Sequence, residues 1–326
     1  QNTISDSTFT TRATDSCSGA VTSYVEGIYL GGSSQNTFRN LTLDSYVSSG
    51  GRAYVYGIYN GGLSSYNLFD QIRVNRSNGT SVYGSTYISA ASGIHILAPY
   101  NSVTNSNAAL GATGVYVGSS GITVSGSNFT NEYYGVFVNA GSNNVTNTLS
   151  YNNSYGFYVA NPLYATSNIF LNDTALENYY YDFKFDLSSQ NVCTNQIINS
   201  TGSGMRPVVY YNSPFNASNI DASEMLLCGV SGSGMSNVTV HGSDAYYNNG
   251  VEIYWAQNSA FANISSLGNL KGVELYNSDY NSFDGVKVSN ASGFYDANSP
   301  PYHGYSRMLN VTLSDYNNFS NVYVFF

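Results

Sequence analysis

Two small groups of ionisable residues in this chain have the types and spacing to do chemistry. Glu252 and Glu274 hold the same place in two copies of one phrase, G-V-E-I at 250–253 and G-V-E-L at 272–275. If those phrases are strands on successive coils, the carboxylates stand roughly 5 Å apart. That separation couples their titration, suits Ca²⁺, and is the one retaining glycosidases use. Tyr254, Trp255 and Tyr276 would wall such a site for a sugar. The second group is Y-D-F-K-F-D at 181–186, where strand alternation puts Asp182, Lys184 and Asp186 on one face. Such a face binds a cation or sets an acid beside a base. The plainer alternatives are a solvated, internally salt-bridged strand and a like-charged rung relieved by water.

The elements that must position these groups are repeats. G-I-H-I at 93–96, G-V-Y-V at 114–117, G-V-F-V at 135–138 and G-F-Y-V at 156–159 follow one another every 21 residues, with further copies at 27–30 and 57–60. A fixed period of this length means a solenoid whose units bury their apolar faces only against neighbours. Within the phrase, alternation marks a strand with one buried face, and the glycine is read as a turn into it. A second phrase, Asn-x-apolar-x-Asn, recurs between copies, as in Asn36-Phe38-Asn40, Asn143-Val145-Asn147 and Asn168-Phe170-Asn172. Its closing residue is read as a left-handed bend with the side chain turned into the coil.

This pattern predicts an all-β, single-stranded, right-handed parallel β-helix of about twelve coils, each of three short strands with loop insertions, roughly 55–60 Å long. It runs through 1–326 as one domain, with an irregular region over 179–235 where the period is disturbed. No stretch carries a capped 3.6-residue apolar stripe, and Tyr, Val, Ile, Thr and Phe fill the apolar places. The third phrase position reads Tyr29, Tyr59, His95, Tyr116, Phe137 and Tyr158, an outward column of rings. Such a column offers a platform for sugars, a face for another subunit, or simply a ladder stabilised by stacking.

Composition bears on compartment. Only 9% of residues are charged and the net charge is −9, so hydroxyls, amides or attached sugars must keep the surface soluble. Ten basic residues spread along an acidic chain argue against nucleic acid. There are 14 N-x-S/T sequons. Asn75, Asn78, Asn128, Asn144, Asn152, Asn216, Asn290, Asn310 and Asn318 are the better glycosylation candidates. Asn40, Asn172, Asn199, Asn237 and Asn263 fall on the inward-facing closing position and are expected to be modified less. Three cysteines fit secretion with one disulfide, Cys193 to Cys228 bracketing the irregular region, and Cys17 left over; three buried thiols are the alternative. No apolar run is long enough to span a membrane. Both ends fall within the repeat pattern without caps, which suits a piece of a longer chain or a subunit that stacks end to end.

These phrases resemble the parallel β-helix repeats of the NosD-like group over nearly the whole chain. The segment Tyr181-Asp182-Phe183, Cys193, Arg206-Pro207-Val208-Val209-Tyr210-Tyr211-Asn212 and Leu226-Leu227-Cys228 is similar to one in large archaeal cell-surface proteins built of such repeats. The resemblance implies an exported, glycosylated, envelope-associated protein. Polysaccharide hydrolases of the fold resemble one another in clustered Asp residues, a G-H-G and an R-I-K phrase, all missing here; the copper-associated members offer no matching ligand set. His95, His241 and His303 lie far apart, so neither zinc nor another cofactor is expected, Ca²⁺ at the carboxylates being the exception to weigh. The expected function is a non-catalytic structural or adhesive protein of the cell surface: a filament or surface-layer subunit, or an adhesin module. Its partners would be further copies of itself, surface glycans or other envelope proteins. The alternative is a secreted polysaccharide-active enzyme or carbohydrate-binding β-helix using Glu252 and Glu274, or Asp182 and Asp186.

Overall fold

The computed structural model describes residues 1–13, 22–47, 52–78, 91–186, 188–289 and 307–325. Named strands pair in parallel throughout, in sheets of twelve, seven, five and six strands, and no α-helix occurs among the described residues. Stacked rungs step by the sequence period: His95, Tyr116, Phe137 and Tyr158 stand opposite one another. The chain is a parallel β-helix.

Inward residues build the core. Ile94 and Ile96, Val115 and Val117, Val136 and Val138, and Phe157 and Val159 are fully buried on consecutive coils. Each such side chain contributes about 1.5–3 kcal/mol by leaving water. The phrase glycine has a different role from the one its sequence suggested. Its backbone is not left-handed at Gly57 or Gly114; instead a Cβ there would meet the carbonyl of the glycine on the next coil, Gly93 at 2.5 Å and Gly135 at 2.6 Å respectively. These glycines let neighbouring coils approach, rather than turning the chain.

The Asn phrase also differs in direction. The opening Asn is the buried one. Asn36 N–H donates to Asn67 Oδ1 at 2.9 Å, Asn67 N–H to Asn101 Oδ1 at 2.7 Å, Asn143 N–H to Asn168 Oδ1 at 2.9 Å, and Asn168 N–H to Asn195 Oδ1 at 2.8 Å. These ladders satisfy backbone groups where the chain bends, at about 1 kcal/mol net each. The closing Asn takes the left-handed conformation, φ 51° at Asn40 and 56° at Asn172, but its side chain points to solvent. In αL the Cβ swings away from the coil axis, so the bend and the inward amide belong to opposite ends of the phrase.

The seven-stranded sheet ends at Tyr181–Phe185 and the twelve-stranded one at Gln196–Ile198, and the five-stranded sheet begins at Val208–Tyr211. Two 3₁₀ turns, Gln190–Thr194 and Ser203–Met205, lie between. Cys193 and Cys228 are joined there by a disulfide. The strand Glu224–Cys228 serves two cores: Leu226 and Cys228 face the first, Met225 and Leu227 the second. No strand ladder among the described residues joins the seven- and five-stranded sheets; side chains make the seam together with single backbone bonds such as Asn249 N–H to the Tyr180 carbonyl at 2.9 Å.

Candidate functional site

Seven strands of the one sheet carry the outward file in register: Tyr29, Tyr59, His95, Tyr116, Phe137, Tyr158 and then Lys184. The six rings stack with centroids 4.3–5.6 Å apart and within 18° of parallel. A second row, Tyr56, Tyr134 and Tyr155, meets them edge-on or tilted. Ring faces are therefore taken up by other rings, and His95 and Phe137 are closed from solvent. Rings stacked along the axis offer edges and hydroxyls outward rather than flat faces. Burial lowers the His95 pKa to about 3, so its ring is a neutral member of the stack. Tyr29 and Tyr24 at the first coils remain well exposed.

The file's last member, Lys184, leads into the seam. There the two ionisable groups singled out in the sequence become one. Lys184 Nζ lies 2.6 Å from Glu252 Oε1, 4.5 Å from the Tyr181 ring centre and within reach of Tyr254. Glu252 and Glu274 sit on adjacent rungs. Glu274 pairs with Lys271, accepts from Tyr254 Oη at 2.8 Å and from Asn310 Nδ2 at 2.9 Å. Burial pushes the Glu274 carboxyl up, but Lys184 and Lys271 outweigh it and hold it at about 2. Burial favours neutral Lys184, yet Glu252 and Glu274 raise it overall; Lys271 is lowered by burial and by Lys184.

Asp182 stands in the slot that glycine fills on other coils and is completely buried. It accepts from Ser203 N–H at 2.6 Å, Ser203 Oγ at 3.0 Å, Asn249 Nδ2 at 2.7 Å and Asn178 Nδ2 at 3.0 Å. Burial raises it to about 6 against those donors. Asp186 stays out of the group: among the described residues it accepts the nearby Ser188 N–H at 3.2 Å and pairs with no side chain of the cluster, which corrects its placement beside Asp182 and Lys184. Glu224, unnoticed in the sequence, joins instead: its Oε2 accepts Phe183 N–H at 2.8 Å in place of a ladder partner. Asn249 does the same for Asp182 N–H at 2.8 Å.

The chemistry of this cluster is closed. Glu252 is 0% and Glu274 9% exposed, so no substrate oxygen reaches between them. Ammonium groups occupy the places a Ca²⁺ would need, and no set of three His, Cys, Asp or Glu among the described residues is arranged to hold a metal. The Trp255 indole N–H has no partner and its ring tilts against Tyr276, so it does not wall an open cleft over the carboxylates.

A more open feature lies on the six-stranded sheet. Asn216, Gly234 and Ala260 form one outward file and Ser218, Ser236 and Ala262 another. Together they line a trough of ≈ 480 Å³. Its files continue through Ser282 and Asn318, and through Asp284 and Ser320. Nothing in the sequence flagged it, because small residues at alternate positions read only as a solvated face.

The five sequon residues at closing positions, Asn40, Asn172, Asn199, Asn237 and Asn263, are exposed rather than turned into the coil. Asn75, Asn144, Asn152, Asn216 and Asn318 are exposed too, whereas Asn128 and Asn310 are half-buried within strands. Cys17, His303 and Asn290 lie outside the described residues, as does the side chain of Asn78.

No protein-family model matches the chain, nor does any curated protein. Solved structures similar to it include the Dettilon tailspike protein gp208, at 16% identity and a TM-score of 0.40 over 97% of this chain and 61% of that one. A tailspike protein double mutant of E. coli bacteriophage HK620 aligns at 11% identity and TM-score 0.41, over 92% and 58%. An alginate lyase from Paenibacillus sp. aligns at 11% and 0.34, over 92% and 99%. The chain thus spans about three fifths of the tailspikes' length. At these identities the likeness is one of fold. No helix among the described residues is long and apolar enough to cross a membrane.

Proposed function

We propose that this chain is an extracellular carbohydrate-binding β-helix that holds glycan along its lateral trough without cleaving it, serving adhesion or a surface layer. The observation that carries the reading is the trough itself. Asn216, Ser218 and Ser236 line it on rungs about 4.8 Å apart, close to the length of one sugar unit. Hydroxyl and amide side chains resume at Ser282, Asn318 and Ser320, and Gly234, Ala260 and Ala262 between them leave room for a chain to lie against the sheet. The volume falls in the range of ligand sites, about 300–1,000 Å³. The non-catalytic part rests on Glu252 and Glu274: Glu252 Oε1 is paired with Lys184, Glu274 is engaged by Lys271, Tyr254 and Asn310, and both carboxylates are closed from solvent. Export and the surface setting agree with the resemblance to archaeal surface repeats and with the disulfide.

Affinity electrophoresis against neutral and acidic polysaccharides tests this. Retardation of the native chain is expected, lost in Gly234→Arg, which fills the trough with an exposed side chain, and no reducing ends should be released. Product release abolished by Glu252→Gln with Glu274→Gln would instead establish the cleaving alternative.

Glycosylation belongs to the same proposal. In a glycosylating host, site occupancy is expected to be higher at Asn172 and Asn199, exposed on bends, than at Asn128, whose Oδ1 is buried, and Asn310, whose amide is bound to Glu274. Peptide mapping showing Asn128 and Asn310 filled and the two bends bare would reverse this.

A further inference from the structure

Four buried carboxyl groups each leave one oxygen unanswered; in Glu252 the other oxygen is paired with Lys184, and the remaining three have no such cation. Glu132 accepts Gly111 N–H at 2.6 Å through Oε2, Asp173 accepts Thr148 N–H at 2.8 Å through Oδ1, and Glu224 accepts Phe183 N–H at 2.8 Å through Oε2. Glu132 Oε1, Asp173 Oδ2 and Glu224 Oε1 are buried and have no hydrogen-bond partner. None of the three residues forms an ion pair. A carboxylate in such a place would bury a charge with half its acceptor capacity idle, a cost one N–H does not offset.

Neighbouring coils show which chemical form these places accept. Glu132 N–H donates to Asn153 Oδ1, and Asn153 N–H to Asn178 Oδ1, so the next two rungs of that ladder are amides. Asp173 stands in a file whose other rungs use the hydroxyls of Ser106, Ser127 and Ser200. Neutral polar groups do the same work on the coils around Glu132 and Asp173. A carboxylic acid is their uncharged counterpart; a carboxylate is not.

We infer that the folded chain holds Glu132, Asp173 and Glu224 as neutral carboxylic acids, and that the rod is built for an acidic medium, with its greatest stability at about pH 4 to 5.

The groups facing each acid agree. Burial pushes Glu132 and Asp173 up to about 8, with only backbone N–H groups opposing. Glu224 is faced by Asp182 and Lys184 from Tyr181–Phe185 and by Glu252 from Val251–Tyr254; burial and the two carboxyl groups raise it, against Phe183 N–H and Lys184. Folded values above the unfolded ones mean the native state binds more protons. Their stabilisation is complete below the ordinary carboxylate range and is lost as pH rises through the window up to about 8. Glu274 behaves oppositely: held at about 2, it loses its contribution only as pH falls below the ordinary range. Asp6 and Asp284, lowered by side-chain hydrogen bonds from Asn40 and Ser320, act in that same acid window. His95, lowered to about 3 by burial, loses its contribution as pH falls below the ordinary imidazole range, while Asp182, raised to about 6, adds to the loss as pH rises; three strongly raised acids outweigh the one imidazole, and the windows meet near the proposed maximum.

Thermal unfolding across pH decides the matter. The midpoint is expected to fall between about pH 5 and 8. Combining Glu132→Gln with Asp173→Asn, which write the neutral form into the chain, should flatten most of that fall and leave the acid-side midpoint in place. A native midpoint that rises over this window, or a slope untouched by the two changes, overturns the proposal. Should the double variant not fold, calorimetry of the native chain at about pH 6.5 in buffers of different ionisation heat serves instead: roughly three protons released on unfolding support it, and none refutes it.

Discussion

A Gly114→Ala variant is expected to lose ~3 kcal/mol of stability, seen as a lowered unfolding midpoint in urea or heat. The added Cβ would lie 2.6 Å from the Gly135 carbonyl oxygen and 2.7 Å from both Cβ and Cδ1 of Phe129, a fully buried ring. Neither the carbonyl nor the ring is free to move, since one belongs to a ladder and the other to the core. Gly62→Ala is the matched control, because a Cβ there meets nothing within 4 Å. It should change stability by no more than about 0.5 kcal/mol. If both variants melt together, the close approach of successive phrase glycines is not what sets the coil spacing.

Asp182→Ala is expected to cost about 3–5 kcal/mol, because it strands buried donors rather than merely deleting a contact. Ser203 N–H would lose its acceptor in a place closed to water, and Asn249 Nδ2 and Asn178 Nδ2 would each be left with one, the carbonyls of Ser223 and Ser150. Asp182→Asn keeps the shape and one acceptor and should cost less. The loss should be local at first, as sub-global opening in solenoids is. Hydrogen exchange is expected to quicken at Tyr181–Phe185 and Val251–Tyr254 while Tyr134–Val138 keeps its protection. Uniform acceleration along the rod would show that the seam is not a separate unit of stability.

The period, the inward apolar faces and the register of the aromatic file were legible because each depends on nothing but spacing. Four of the seam's ionisable residues, Asp182, Lys184, Glu252 and Glu274, could also be picked out, as charges in otherwise apolar strands. Their union could not, since Lys184 and Glu252 meet across 68 positions of chain that break the repeat. The direction of the Asn phrase was ambiguous for a different reason. Asn-x-apolar-x-Asn reads alike from both ends, and only the backbone conformation at Asn40 or Asn172 tells the inward amide from the outward one. Glu132 and Asp173 had a usable signal that went unread: aligned coil by coil, each is an acid among amides or hydroxyls. Glu224 had none, because its strand lies where the coils lose their common spacing.

The seam also bears on how the rod carries load. Pulled along its axis, the regular stretches share tension among many parallel ladders, whereas between Tyr181–Phe185 and the five-stranded sheet the pull falls on isolated bonds, among them Asn249 N–H to the Tyr180 carbonyl and the side chains of Asn249, Glu224 and Lys184. That joint is the place to yield first. The Cys193–Cys228 bond ties together the two polypeptide segments flanking it, so extension there is limited to a short length of slack. A tether anchored at both ends would stretch a little at one defined point, then stiffen, and recover when released.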